Sequence, residues 1–226
     1  MAGLELVNQA NFSGGALEAA ISLYQSSWGA IMKTELEIES DEKLRGRLEI
    51  DYASRNIVFP EGQRAAIDTQ TRMPVGTINS ILYDSRDLPV IKNWNQLTGD
   101  GTHGTHDKYG DLLICVAIQT SERGAARLLV EAQADLARKL GKELFVFTRP
   151  NGFAAYLQDH PGVTIEQYLE LLVTDKIKIL GDGVSFHHHI GAVLAPLLKG
   201  NNSYLQNSRP GDASSMRYNV LMQYAL

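Results

Sequence analysis

The sequence predicts one α+β domain over residues 1–226, on three observations. The segment Cys115–Gly141, CVAIQTSERGAARLLVEAQADLARKLG, passes from an apolar strand through a turn at Glu122–Arg123–Gly124 into an amphipathic helix. Ahead of it, short strand-like runs are separated by turn residues, as in a meander of hairpins. Nearer the N-terminus, Leu17, Ile21, Tyr24 and Trp28 recur at i, i+4, i+7 and i+11, the spacing of one helix face.

Each element has its local reason. Ser13, with the two glycines after it, marks the start of the first helix, and Gly29 its end. The charged stretch Glu35–Arg47 holds a second short helix, with Asp41 and Glu42 at its start or on a solvated face. Strand-like runs follow at Asn56–Phe59, Arg64–Asp68 and Val75–Tyr83, parted by Pro60–Glu61–Gly62 and by Thr69–Pro74. Ser85–Gly110 is a long, polar, glycine-bearing loop, the kind that is usually functional in a compact domain. Asp111–Thr120 reads as a buried strand. Arg123–Leu140 reads as a helix with Leu128, Ala132, Leu136 and Leu140 on one face, and Glu143–Phe147 as another strand. Gly152–Val173 is helical in part, broken at His160–Pro161–Gly162. A short helix, Ser185–Ile190, closes on Gly191, and the strands Ala192–Leu198 and Asn219–Tyr224 end the chain.

Composition excludes several classes. The 226 residues suffice for a full core, since about 70% of the unfolded surface is buried at this length. A net charge of −5 gives no basic field toward nucleic acid or anionic membranes, so neither is expected as a partner. No apolar run reaches the length of a membrane span, and the first fifteen residues lack the basic and apolar regions of a signal peptide. Cytoplasm is the expected location. Cys115 is the only cysteine, so no internal disulfide forms, and it reads as a small core residue.

The turn after the central strand is a candidate phosphate cradle. The first amides of a helix have no internal acceptor and carry partial positive charge. Ala125 and Ala126 allow close approach to that backbone, and Arg123 adds a full charge. An ordinary strand–helix connection fits the same residues.

The order of elements resembles the GNAT superfamily of N-acetyltransferases over most of the chain. That family carries Gln/Arg-x-x-Gly-x-Gly/Ala at this turn, where the backbone binds the pyrophosphate of coenzyme A. Here the matching run is Ser121-x-x-Gly124-x-Ala126, with Ser121 in place of Gln or Arg. The resemblance implies a mixed, mostly antiparallel sheet of about seven strands flanked by helices, with the fourth and fifth strands splayed apart for pantetheine. Ile118, Gln119 and Thr120, with Phe147 and Thr148, would line that opening. Arg123, Gly124, Ala125 and Ala126 would hold the phosphates. Where many of these acetyltransferases have a general-acid Tyr, this chain has His187, in FHHHIGA. No Glu base occurs in Asp111–Thr120.

Four further segments resemble the GNAT-like decarboxylase/acyltransferase loading domains of curacin-type polyketide synthases: FPEGQ at Phe59–Gln63, WNQLTGDGTHGTH at Trp94–His106, SFHHHIGA at Ser185–Ala192 and SRPGD at Ser208–Asp212. That resemblance implies loss of carbon dioxide from a malonyl or methylmalonyl thioester of coenzyme A or acyl carrier protein; direct acyl transfer to the carrier has also been attributed to such domains. It makes Thr148 and His187 the catalytic pair and Arg209 and Trp28 the substrate-lining pair. Lys199–Ser208 would be an insertion. Two other functions fit the residues: an acetyl-coenzyme-A-dependent N- or S-acetyltransferase, and a catalytically silent binding domain.

The chemistry accords with these residue types. Decarboxylation leaves an enolate, whose oxygen needs a hydrogen-bond donor and whose carbon needs a proton. An imidazole titrating near pH 6.5 is a better acid for that carbon than a phenol. No metal is expected. Three consecutive histidines on a helix point about 100° apart and do not converge on one ion. His103-x-x-His106-Asp107 reads more readily as a hydrogen-bonded turn than as a ligand set. Thr148 as a strand-end residue, Trp28 as core and Arg209 as a solvated loop residue are the plainer alternatives.

Overall fold

The computed structural model describes residues 3–226 and contains eight strands in one sheet. In chain order these are β1 (Leu4–Asn8), α1 (Gly14–Glu35), α2 (Asp41–Val58), β2 (Gln63–Asp68), β3 (Pro74–Tyr83), α3 (Trp94–Thr98), β4 (Leu112–Thr120) and α4 (Ala125–Leu140). There follow β5 (Glu143–Thr148), α5 (Phe153–Asp159), α6 (Ile165–Val173), α7 (Gly183–His189), β6 (Ala192–Leu194), β7 (Tyr204–Leu205) and β8 (Asn219–Tyr224). The strand order is β1-β2-β3-β4-β5-β8-β6, and β7 also pairs with β8. Every pair is antiparallel except β4–β5. The expected α+β architecture is present, with one strand more than the expected seven.

Alternation along the central strands builds a core on each face of the sheet. Leu113, Cys115, Leu144, Val146 and Met222 pack under α4 and α6, together with Leu129, Leu136 and Tyr168. Their neighbours Leu112, Ile114, Phe145 and Leu221 point the other way, onto Leu88 and Leu97 of the long loop. A period of two across two buried faces is why these strands read as unbroken apolar runs. The α1–α2 pair closes a third cluster around Tyr24, Leu44 and Leu48.

Several boundaries differ from expectation. Gly29 does not stop α1, which continues to Glu35. A Cβ at Gly29 would sit 3.2 Å from Leu44 Cδ2, so this glycine serves the close approach of α1 to α2. Asn56–Val58 is the last turn of α2, not a strand, and that helix is 18 residues long, not a short one. Ser40 caps it by accepting from the Lys43 amide. The strand β1 was not anticipated. It pairs with β2 from Leu4↔Asp68 to Asn8↔Arg64. The run Ala192–Leu198 is strand only to Leu194, just ahead of Pro196, and Lys199–Ser208 contains β7.

Candidate active site

The sheet opens at its centre. The parallel pairing of β4 with β5 runs from Leu112↔Glu143 to Cys115↔Val146 and then stops. At that point Val116 is an extra residue against β3, where Asn79 faces Ala117 and Ser80 faces Cys115. A bulge bends its strand and ends regular pairing. Val116 is held in place by its carbonyl, which accepts from Trp94 Nε1 at 2.8 Å. Beyond it, Ala117–Thr120 and Phe147–Thr148 line the two sides of a cavity of about 580 Å³. That volume is in the range of small-molecule sites.

The sequence-predicted residues distribute around this opening as follows. Ile118, Gln119, Thr120 and Ala126 line the cavity, as do Trp28, Thr148 and His187. Arg123, Gly124 and Ala125 form the adjoining turn and the start of α4. Gly124 takes φ +91° there, a conformation that favours glycine. Among the described residues the amides of Ala126 and Arg127 have no acceptor, so the head of α4 offers unpaired donors beside the cavity. Ser121 is tied to the edge of β3, its amide donating to Val75 O at 2.8 Å.

The helix α7 carries the imidazole. Asp182 caps it, accepting from the Ser185 amide at 3.0 Å, from Gly152 N at 2.9 Å and from Tyr168 Oη at 3.0 Å. Burial holds that carboxyl above its usual range against these hydrogen bonds. Gly183 brings the helix against the end of β5, and a Cβ there would lie 2.2 Å from Thr148 Oγ1. His187 is buried, and its Nδ1 shares a hydrogen bond with Tyr224 Oη of β8. Among the described residues the Tyr224 hydroxyl makes no other hydrogen bond, and donation from the phenol to Nδ1 would satisfy both groups and favour the tautomer with its proton on Nε2. Burial pushes the His187 pKa down to about 3 and the Tyr224 pKa well above its usual value. Burial thus disfavours the charged ring, and in this environment the neutral imidazole is favoured over the protonated form. Of its neighbours, His188 lies 3.9 Å from Asp175 and His189 is exposed at the cavity rim.

Trp28 and Arg209 have different fates. The Trp28 indole donates to Gln119 Oε1 at 3.2 Å, and Gln119 in turn donates to Thr77 Oγ1, which fixes this wall of the cavity. Arg209 does not line the cavity. Its Nε donates to Glu35 Oε1 at 2.9 Å, and both side chains are 3% exposed. Its guanidinium lies 4.3 Å from the centroid of Trp94 and 5.2 Å from that of Trp28, backing the wall. Arg149, not singled out in the sequence, does line the cavity. It follows Thr148 directly, but only the splay of β4 from β5 makes it a lining residue.

The histidine pair in the long loop forms no ligand set, and among the described residues no cluster of three or more His, Cys, Asp or Glu side chains is placed to hold a metal ion. His106 Nδ1 accepts from the Leu82 amide at 3.1 Å and its ring stacks on Phe59. His103 is buried, and desolvation drives its pKa well below 6.5.

Comparison with known proteins adds the fold. No protein-family profile matches the chain, and no curated protein does. Among solved structures, the loading GNATL domain of CurA from Lyngbya majuscula superposes with a TM-score of 0.69 at 20% identity, covering 98% of this chain and 97% of that one. The chain has the GNAT fold. The GphF GNAT-like decarboxylase in complex with isobutyryl-CoA superposes with a TM-score of 0.66 at 17% identity, covering 99% of this chain and 98% of that one. The parallel β4–β5 pair in an otherwise antiparallel sheet accords with that fold. No helix among the described residues is long and apolar enough to cross a membrane.

Proposed function

We propose that the protein is a GNAT-like decarboxylase acting on a malonyl or methylmalonyl thioester of coenzyme A or an acyl carrier protein, in polyketide chain initiation, with acyl transfer to the carrier as a second step. The observation that carries this reading is the buried His187, hydrogen-bonded through Nδ1 to Tyr224, in one cavity with Thr148. The GNAT fold and the likeness to two GNAT-like loading or decarboxylase domains support it. The unpaired amides of Ala126 and Arg127 suit the pyrophosphate of coenzyme A, and the unpaired edges of β4 and β5 suit the amides of pantetheine.

The reaction needs few groups. The bond between the α-carbon and the free carboxyl breaks, carbon dioxide leaves, and the electron pair moves onto the thioester as an enolate. His187 Nε2–H and Thr148 Oγ1–H supply donors to the developing oxyanion, each worth about 3–4 kcal/mol of transition-state stabilisation in a water-poor site. The α-carbon then takes the Nε2 proton to give the acyl thioester, and solvent reprotonates the ring after product leaves. The enolate carbon is a stronger base than the imidazolate left behind, and that difference drives the transfer from the neutral ring.

The test is incubation with malonyl-coenzyme A, with and without an acyl carrier protein, with products read by mass spectrometry. Acetyl-coenzyme A formed alone supports decarboxylation, and acetyl on the carrier supports transfer as well. Consumption of acetyl-coenzyme A with an amine acceptor, and no turnover of the malonyl thioester, would replace this reading with an acetyltransferase.

A further inference from the structure

The cavity contains a cation whose donors are mostly unpaired. Arg149 leaves β5 immediately after Thr148, with its guanidinium 4.4 Å from the centroid of Trp28. Its Nη1 donates to Asp212 Oδ2 at 3.1 Å. Its Nε and Nη2 have no partner among the described residues, and the side chain is 17% exposed, toward the cavity. Arg209 has no such freedom, being buried against Glu35. Lys178 also lines the cavity, but as an exposed residue on the loop before α7. The oxygens of Asp182, the buried acid at this cavity, are already taken by Gly152, Tyr168 and Ser185.

We propose that Arg149 binds the free carboxylate of the substrate and so selects half-thioesters of dicarboxylic acids over simple acyl thioesters. This rests on the decarboxylase reading of the same cavity. A planar guanidinium with two adjacent free N–H groups matches a carboxylate, and a half-buried site makes that match stronger than it is in water. Asp212 has a second effect. A full, uncompensated positive charge would hold the carboxylate too firmly for carbon dioxide to leave. The Asp212 carboxylate offsets part of that charge while fixing the guanidinium plane, and Ser214 and Ser215 fix Asp212 by donating to it. Arg149 is thus a specificity residue and Asp212 a positioning residue.

The test uses two stable thioethers, S-(2-carboxyethyl)-coenzyme A and S-propyl-coenzyme A, which differ in the terminal carboxylate and undergo no turnover. Titration calorimetry should show the wild type preferring the carboxylate by about 10- to 100-fold. Arg149→Gln should abolish that preference and leave the affinity for S-propyl-coenzyme A within about twofold of wild type. Arg209→Gln should keep the preference. Where Arg149→Gln fails to bind S-propyl-coenzyme A, Arg149→Lys carries the test, with the preference expected to fall several-fold. An absent preference in the wild type, or one unchanged in the Arg149 variants, overturns the inference. Wild-type turnover of malonyl-coenzyme A together with an Arg149-independent preference overturns this inference alone. An Arg149-dependent preference without any turnover overturns the decarboxylase reading and leaves Arg149 as the carboxylate site.

Discussion

Acid should destabilise this protein through His187, by an amount that follows from its burial. The ring has a pKa of about 3 in the folded chain and about 6.5 when exposed. Between these values the unfolded state binds a proton that the folded state does not, so stability is lost as the pH falls through this window. Integrating the linkage from pH 7 to pH 5 gives a loss of about 2 kcal/mol from this one group. His103, also buried with a depressed pKa, adds to the wild-type slope, so the wild type alone does not isolate His187. The assay is urea unfolding at pH 7, 6 and 5 for wild type and His187→Asn. The variant loses the bond to Tyr224 and has its own stability at pH 7, so the difference in slope is the readout. The slope between pH 7 and 5 should be shallower in the variant by about 2 kcal/mol. Parallel slopes would mean that the ring titrates normally, and that the neutral donor assigned to it does not exist.

Other expectations follow from single contacts. Glu35→Ala strands the buried Arg209 guanidinium without its partner and should cost about 3 kcal/mol in denaturant unfolding, since breaking a buried pair leaves an uncompensated charge. Gly183→Ala forces a Cβ against Thr148 Oγ1 and Arg149 O, and should cost about 1–3 kcal/mol while lowering turnover through displacement of α7. Thr148→Val keeps the volume and removes one hydroxyl, so turnover should fall about 10²-fold with the melting temperature little changed.

Much of the fold was legible because its signals are local. The strand–turn–helix from β4 into α4 is written in an apolar run, a glycine with positive φ and a clear helical stripe. The helix α2 was misread because its pattern is mixed. Its buried face carries Asp51 and Arg55 beside Leu44, Leu48 and Tyr52, while Ile50 and Ile57 point to solvent. At its end, Ile57–Val58–Phe59 looks like strand as readily as helix. The strand β1 is five residues at the sheet edge, too short to show a period. In the site, His187 and Thr148 were reached through resemblance, and the structure brings both to one cavity. The partner of Arg209 lies 174 residues away, and the exposure of Arg149 depends on where β4 and β5 part. Neither is a local property of the chain.

Malonyl-coenzyme A labelled in its free carboxyl offers the most direct measurement. In single turnovers, the wild type should release labelled carbon dioxide, and His187→Ala should do so about 10²- to 10³-fold more slowly at unchanged affinity for coenzyme A. Wild-type rates in that variant, or no labelled gas from the wild type, would contradict the role assigned to this imidazole.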